Sequence, residues 1–155
     1  MNTEKKTDMQ NTQTTTTDTQ AMVQEVSSLK AMLSDEAFAL QTDAEWQEVA
    51  EHVRVHRFLI NQAIPWTITW DDAVFSWYEN VMRPLMDAVD TWNIRAAFPG
   101  RTMGQLYLAV ATHWHFMKEQ DGSVTPEEAA NDFSAQYGHG LAAWFSRFLT
   151  PRGNR

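Results

Sequence analysis

Four side chains carry the chemistry this sequence could do: His56, Arg57, Arg101 and His113. An imidazole can ligate a metal or move a proton, and a guanidinium can hold a carboxylate or phosphate by two parallel hydrogen bonds. His56 and His113 each fall on an apolar helical stripe, and with His52 and His115 nearby they could form a nitrogen-rich metal site. Neither a His-Glu-x-x-His nor a Glu-x-x-His pattern accompanies them, so each is read as a core-edge histidine with one hydrogen bond, and no metal or other cofactor is assigned. Arg101 sits in a turn just before a capped helix, where an arginine beside backbone N–H groups can hold a small anion; pairing with a neighbouring acid or a turn carbonyl is the alternative. The acidic pairs Asp71-Asp72 and Glu127-Glu128 lie in first helical turns, where the helix dipole accounts for them. No residue is assigned a catalytic role, and an enzyme is the less favoured reading.

Composition narrows the field further. The chain has 155 residues, a formal charge of −8 and no cysteine, which excludes disulfides, thiolate metal sites and thiol nucleophiles. An acidic balance argues against a nucleic-acid partner, since phosphate-backbone binders carry basic surfaces. No apolar run of signal-peptide length follows Lys5-Lys6, and the uncharged stretch from Met103 to Met117 is too short for a membrane helix. A cytoplasmic protein with no membrane partner is expected.

The elements that must position these residues are all helical. Residues 1–20 hold eight threonines and only Met1 and Met9 as apolar side chains, the composition of a disordered tail. Residues 21–41 read as a marginal amphipathic helix and linker, with Val23, Val26, Leu29, Met32 and Leu33 as its stripe. An all-α domain of about six helices is expected over 42–149, followed by a flexible end at 150–155. Thr42 with Glu45 opens a helix carrying Trp46, Val49, Val53, His56 and Ile60 and ending near Gln62. Thr69 caps a second, with Ala73, Trp77 and Val81 inward, and Pro84 places a kink or break near Met82-Arg83 before the stripe Leu85, Ala88, Val89, Trp92. Phe98-Pro99-Gly100-Arg101 is a tight turn. Thr102 with Gln105 then opens the most apolar helix, to about Gln120. Thr125-Pro126-Glu127-Glu128 is the strongest helix start, and Leu141–Leu149 makes a last short, amphipathic helix. Of the seven tryptophans, Trp46, Trp77, Trp92 and Trp114 are expected in the core, and Trp66 and Trp70 partly exposed.

These elements repeat. A shift of 57 places Val49 on Leu106, Val53 on Val110, His56 on His113 and Ile60 on Met117; after a one-residue contraction, a shift of 56 places Thr69 on Thr125, Ala73 on Ala129, Trp77 on Phe133 and Leu85 on Leu141. A match of a histidine, a Thr cap, an acidic pair and a break under shifts that differ by a single residue indicates two helix-loop-helix-helix units, about 43–93 and 102–149, packed about a pseudo-twofold axis.

His56-Arg57-Phe58-Leu59, Trp70-Asp71-Asp72-Ala73-Val74, Trp77-Tyr78 with Pro84-Leu85, and Phe98-Pro99-Gly100-Arg101-Thr102 resemble the motifs of a family of uncharacterised bacterial proteins. The resemblance covers about residues 45–137. It extends to a domain of unknown function at the C-terminal end of larger bacterial proteins with a kinase-like front half; no ATP-dependent activity is expected from these 155 residues. It adds Trp77, Tyr78 and Thr102 to His56, Arg57, Arg101 and His113 as ligand-binding candidates, and implies no activity. The chain departs from the family pattern where Met103-Gly104-Gln105 stands in place of Glu-Ala-Asp and His113-Trp114-His115 in place of a second His-Arg-aromatic.

Three functions fit the sequence. The first is a non-catalytic protein-interaction or regulatory module, with another protein as partner. A domain or enzyme binding a small anionic or phosphorylated ligand through His56, Arg57, Arg101 and His113 is the second. The third is a DNA-binding regulator, disfavoured because no helix carries basic residues clustered at its N-terminus.

Overall fold

The computed structural model describes the backbone of residues 4–34 and 38–138, with side chains from residue 15 onward. Among these residues the chain is all-α: α1 Glu4–Met32, α2 Asp43–Ala63, α3 Trp70–Trp77, a π-helical turn Tyr78–Met82, α4 Arg83–Val89, α5 Trp92–Ala97, α6 Met103–Gln120 and α7 Pro126–Tyr137. Since α3, the π turn and α4 run on without interruption, there are six continuous helices. The expected last helix, 141–149, and the end at 150–155 lie outside the described residues. Two compact units result, one made of Met1–Ser34 and Thr42–Val74, the other of Asp35–Gln41 and Phe75–Arg155. The boundary falls inside the α3–α4 helix, not at the 98–101 turn that separates the repeat halves.

In the first unit α1 packs on α2. Val26, Leu29 and Leu33 of α1 and Val49, Ala50 and Val53 of α2 are buried, each set spaced by three and four as one helical face requires. Val23 and Met32, expected on the α1 stripe, are exposed; the buried stripe is narrower than periodicity alone suggests. Polar ties flank the apolar contact. Arg54 Nε donates to Glu25 Oε2 at 2.9 Å, Lys30 pairs with Asp43 at 3.0 Å, and Trp70 Nε1 donates to Ser28 Oγ at 3.0 Å. Where composition leads to the expectation of a disordered tail over 1–20, the structure continues α1 back to Glu4. The side chains of residues 15–20 are exposed, so that stretch adds no burial to the unit.

The second unit is built on α4, which packs on α6 and α7, while α6 and α7 pack on each other and α5 packs on α7. Of the four helix starts expected from threonine, three form capping boxes with Glu or Gln, Thr42 with Glu45, Thr102 with Gln105 and Thr125 with Glu128, the last with Pro126 in the first turn, and at the fourth Thr69 Oγ1 accepts the Asp72 N–H at 3.2 Å. Residues 103–110 are all buried, including Gln105, whose side chain is taken up by the capping box with Thr102. Where a kink or break is expected near Met82-Arg83, the helix carries a π turn, in which Arg83 N–H reaches back to the Tyr78 carbonyl. Pro84 has no N–H to offer Asn80, and its ring would crowd that carbonyl in a regular helix; widening the preceding turn relieves the conflict without ending the rod.

Trp92 corrects the expected core. The helix ends at Asp90 and Thr91 is extended, so α5 starts in a new register and buries Ile94 and then Phe98, leaving Trp92 85% exposed. Trp46 and Trp114 are only half-buried, and Trp77 alone of the four is fully enclosed. The repeat is legible in burial where both copies are described. Val49 and Leu106, Val53 and Val110, Ala73 and Ala129, and Trp77 and Phe133 are all buried, whereas His56 and His113, and Ile60 and Met117, are all half-buried.

Candidate functional site

Each unit holds part of the expected ligand set. His56 and Arg57 belong to the first. Arg57 Nε donates to the Ile68 carbonyl at 2.9 Å, and Asn61 Oδ1 accepts the Ile68 N–H at 2.9 Å; together they pin the 64–69 loop that delivers Thr69 and Asp72 to the start of α3. The guanidinium is therefore engaged in holding backbone. Burial pushes the His56 imidazole below its ordinary pKa, because the charged form loses solvation. In the window between that lowered value and about 6.5 the unfolded chain binds more protons than the folded one, so stability falls as pH drops through it. His56→Gln should flatten the pH dependence of the unfolding midpoint just below about pH 6.5. An unchanged slope would show that His56 is not buried as described.

The second unit holds Trp77, Tyr78, Arg101, Thr102 and His113. Trp77 is fully buried and meets Tyr107 edge-on, with centroids 6.0 Å apart and planes at 85°, and among the described residues its Nε1 has no hydrogen-bond partner. Tyr78 is half-buried at the head of the π turn. His113 Nε2 lies 2.6 Å from Asp132 Oδ2, which also accepts from Gln136 at 2.7 Å, and the imidazole packs against Phe133 and Tyr137. This joins α6 to α7. With the ring packed on Phe133 and Tyr137, the His113–Asp132 pair is a packing joint between the two helices. Thr102 is committed to the Gln105 capping box. Arg101 and His113 are twelve residues apart on or beside α6, about 18 Å along its axis at 1.5 Å per residue, so these two do not converge on one ligand.

What the sequence did not bring together is Arg95 with Arg101. Both line a cleft of about 380 Å³ bounded by the 98–102 turn and the first turn of α6, with Gly100 in the left-handed conformation (φ 80°) that the turn requires. Arg95 also lines a second cleft, of about 530 Å³, with Asp90, Trp92 and Ala96. Only the short helix α5, which the sequence reading passed over, presents Arg95 and Trp92 here. Asp132 was missed for another reason: nineteen residues separate it from His113, and no local pattern announces such a pair. Among the described residues no group of three or more His, Asp or Glu side chains could hold a metal ion.

Fold and site together define an all-α protein of two small helical units, with a two-arginine cleft on one and an exposed apolar helix face on the other. None of its described helices is long and apolar enough to cross a membrane. Comparison with protein-family models, curated proteins and solved structures finds no match to this chain.

Proposed function

We propose that this chain is a non-catalytic helical interaction module of a bacterial cytoplasmic protein system, in the family its motifs resemble, and that α2 is the surface it presents to a protein partner. The observation that carries this reading is the outer face of α2. Val55, Phe58 and Leu59 are 45%, 59% and 58% exposed, at the i, i+3, i+4 spacing of a single stripe. Val49, Ala50 and Val53 occupy the opposite, buried face of the same helix. Single exposed apolar residues are ordinary, but a phenylalanine and two aliphatic neighbours on one stripe is the arrangement by which an amphipathic helix docks in a partner's groove. The aromatic supplies the anchor.

The test is affinity capture from a bacterial extract with the wild-type chain and with Phe58→Ser/Leu59→Ser. These side chains are exposed, so the variant should keep its helical circular dichroism and its stability within about 0.5 kcal/mol. Proteins retained by the wild type should be lost with the variant. The same retained set with both would remove α2 as the interaction surface.

A further inference from the structure

We infer that α2 docks on α2 of a second copy of this chain, antiparallel, about a twofold axis that crosses the helix midway between His56 and Arg57, with Val55, Phe58 and Leu59 at the centre. The inference rests on α2 being the docking surface and names what covers it. Within its unit α2 packs on α1. The ties Lys30–Asp43 and Glu25–Arg54 run up α2 as they run down α1, so the two helices form an antiparallel hairpin. A hairpin covers one side of each helix, and two hairpins about a twofold axis make a four-helix arrangement that covers the other. Apolar exposure continues onto α1 at the same level. Met22, one turn before Glu25, extends the buried stripe Leu33, Leu29, Val26 and is 44% exposed, and Phe58 stands one turn beyond Arg54.

Glu51, Val55, Phe58 and Gln62 are all exposed and lie within about 60° of one another around the helix axis. Any stripe of this spacing can be laid antiparallel on itself; the placement of charge selects that arrangement here. Val55 then faces the partner subunit's Phe58, a small side chain against a large one, and Glu51 faces the partner subunit's Gln62. Glu45, Glu48 and Glu51 all lie in the first half of α2, whereas residues 58–63 carry no charge, so the acidic half of each copy meets the uncharged half of the other. A parallel pair would set Glu51 against the partner subunit's Glu51 and align the two helix dipoles side by side. The exposed parts of Val55, Phe58 and Leu59 amount to on the order of 300 Å² per copy, against roughly 800 Å² per partner in a standard interface. The dimer is accordingly weak, with a dissociation constant of about 1–100 μM.

The test is sedimentation equilibrium of the full chain from about 1 to 500 μM, a range that brackets such a constant. The mass should rise from 17.8 kDa towards twice that value with concentration. Phe58→Ser/Leu59→Ser should weaken the association about tenfold or more. Because the chain has no cysteine, introduced thiols report the register without background. Mixed one to one and oxidised, Glu51→Cys and Gln62→Cys chains should form an inter-chain disulfide. Gln62→Cys alone should not, since in the antiparallel register its two copies lie eleven residues apart along the helices, about 16 Å. Cross-linking of Gln62→Cys with itself, or undiminished dimerisation of Phe58→Ser/Leu59→Ser, would overturn the inference. So would a chain that stays monomeric throughout; the α2 surface itself then stands if a benzophenone at position 58 joins a different protein in cells, and falls if it joins none.

Discussion

Phe133→Ala is expected to destabilise the chain by about 3–5 kcal/mol, the cost of deleting a fully enclosed aromatic ring and leaving a cavity. Phe133 is the hub of the second unit's ring cluster: Phe98 at 5.3 Å, Tyr137 at 5.0 Å and His113 at 5.6 Å between centroids. Truncation removes its area from the core and three ring contacts at once. It also loosens the ring packing of His113 beside the Asp132 bond. Against a total of roughly 5–15 kcal/mol for an ordinary domain, the loss is large enough to show as a fall in the urea midpoint and in the protection of α6 and α7 amides. Trp92→Ala is the paired control, a larger deletion at an exposed site, and should change stability by no more than about 0.5 kcal/mol. If the two variants lose similar stability, the α5 register described here is wrong.

Gly104→Ala is the second large effect, expected to cost about 1–3 kcal/mol although alanine is the better helix former. Gly104 lies in the first turn of α6. A Cβ built there would stand 2.7 Å from the Phe38 carbonyl oxygen and 2.6 Å from Leu40 Cδ2. The leucine tip can rotate away; the carbonyl is backbone and cannot move without shifting the 38–41 segment. Gly122→Ala, with nothing within 4 Å of its Cβ, provides the reference for a glycine without such a neighbour. Thermal unfolding of both variants decides the matter: a stabilised Gly104→Ala would mean that the segment does not lie against α6.

The helix starts could be read from the sequence because capping is local. Thr42, Thr102 and Thr125 each meet a glutamate or glutamine three residues on, and both halves of each box form. The paired burial of Val53 with Val110 and of Trp77 with Phe133 follows from 3.6-residue periodicity, which carries across the repeat. Trp92 was misplaced because its stripe was continued from Leu85 and Val89 through Asp90-Thr91, where the backbone leaves the helix and the register resets. At the π turn the sequence leaves a kink and a break both open, because Pro84 announces a conflict in the hydrogen-bond ladder but not whether the chain resolves it by ending or by widening. Of the site, the individual residues were legible and their company was not. Arg57 meets Ile68, His113 meets Asp132 and Arg101 shares a cleft with Arg95, and only the last joins two charges of the same sign around an open space.

α2 presents Val55, Phe58 and Leu59 outward, so photo-cross-linking from that stripe reports whether a protein docks on it. A benzophenone amino acid at position 58 should give one discrete adduct in bacterial cells. The same probe at position 119, an exposed glutamate on α6, should give none. An adduct of equal yield and identity at both positions, or none at position 58, would mean that α2 is not the docking surface.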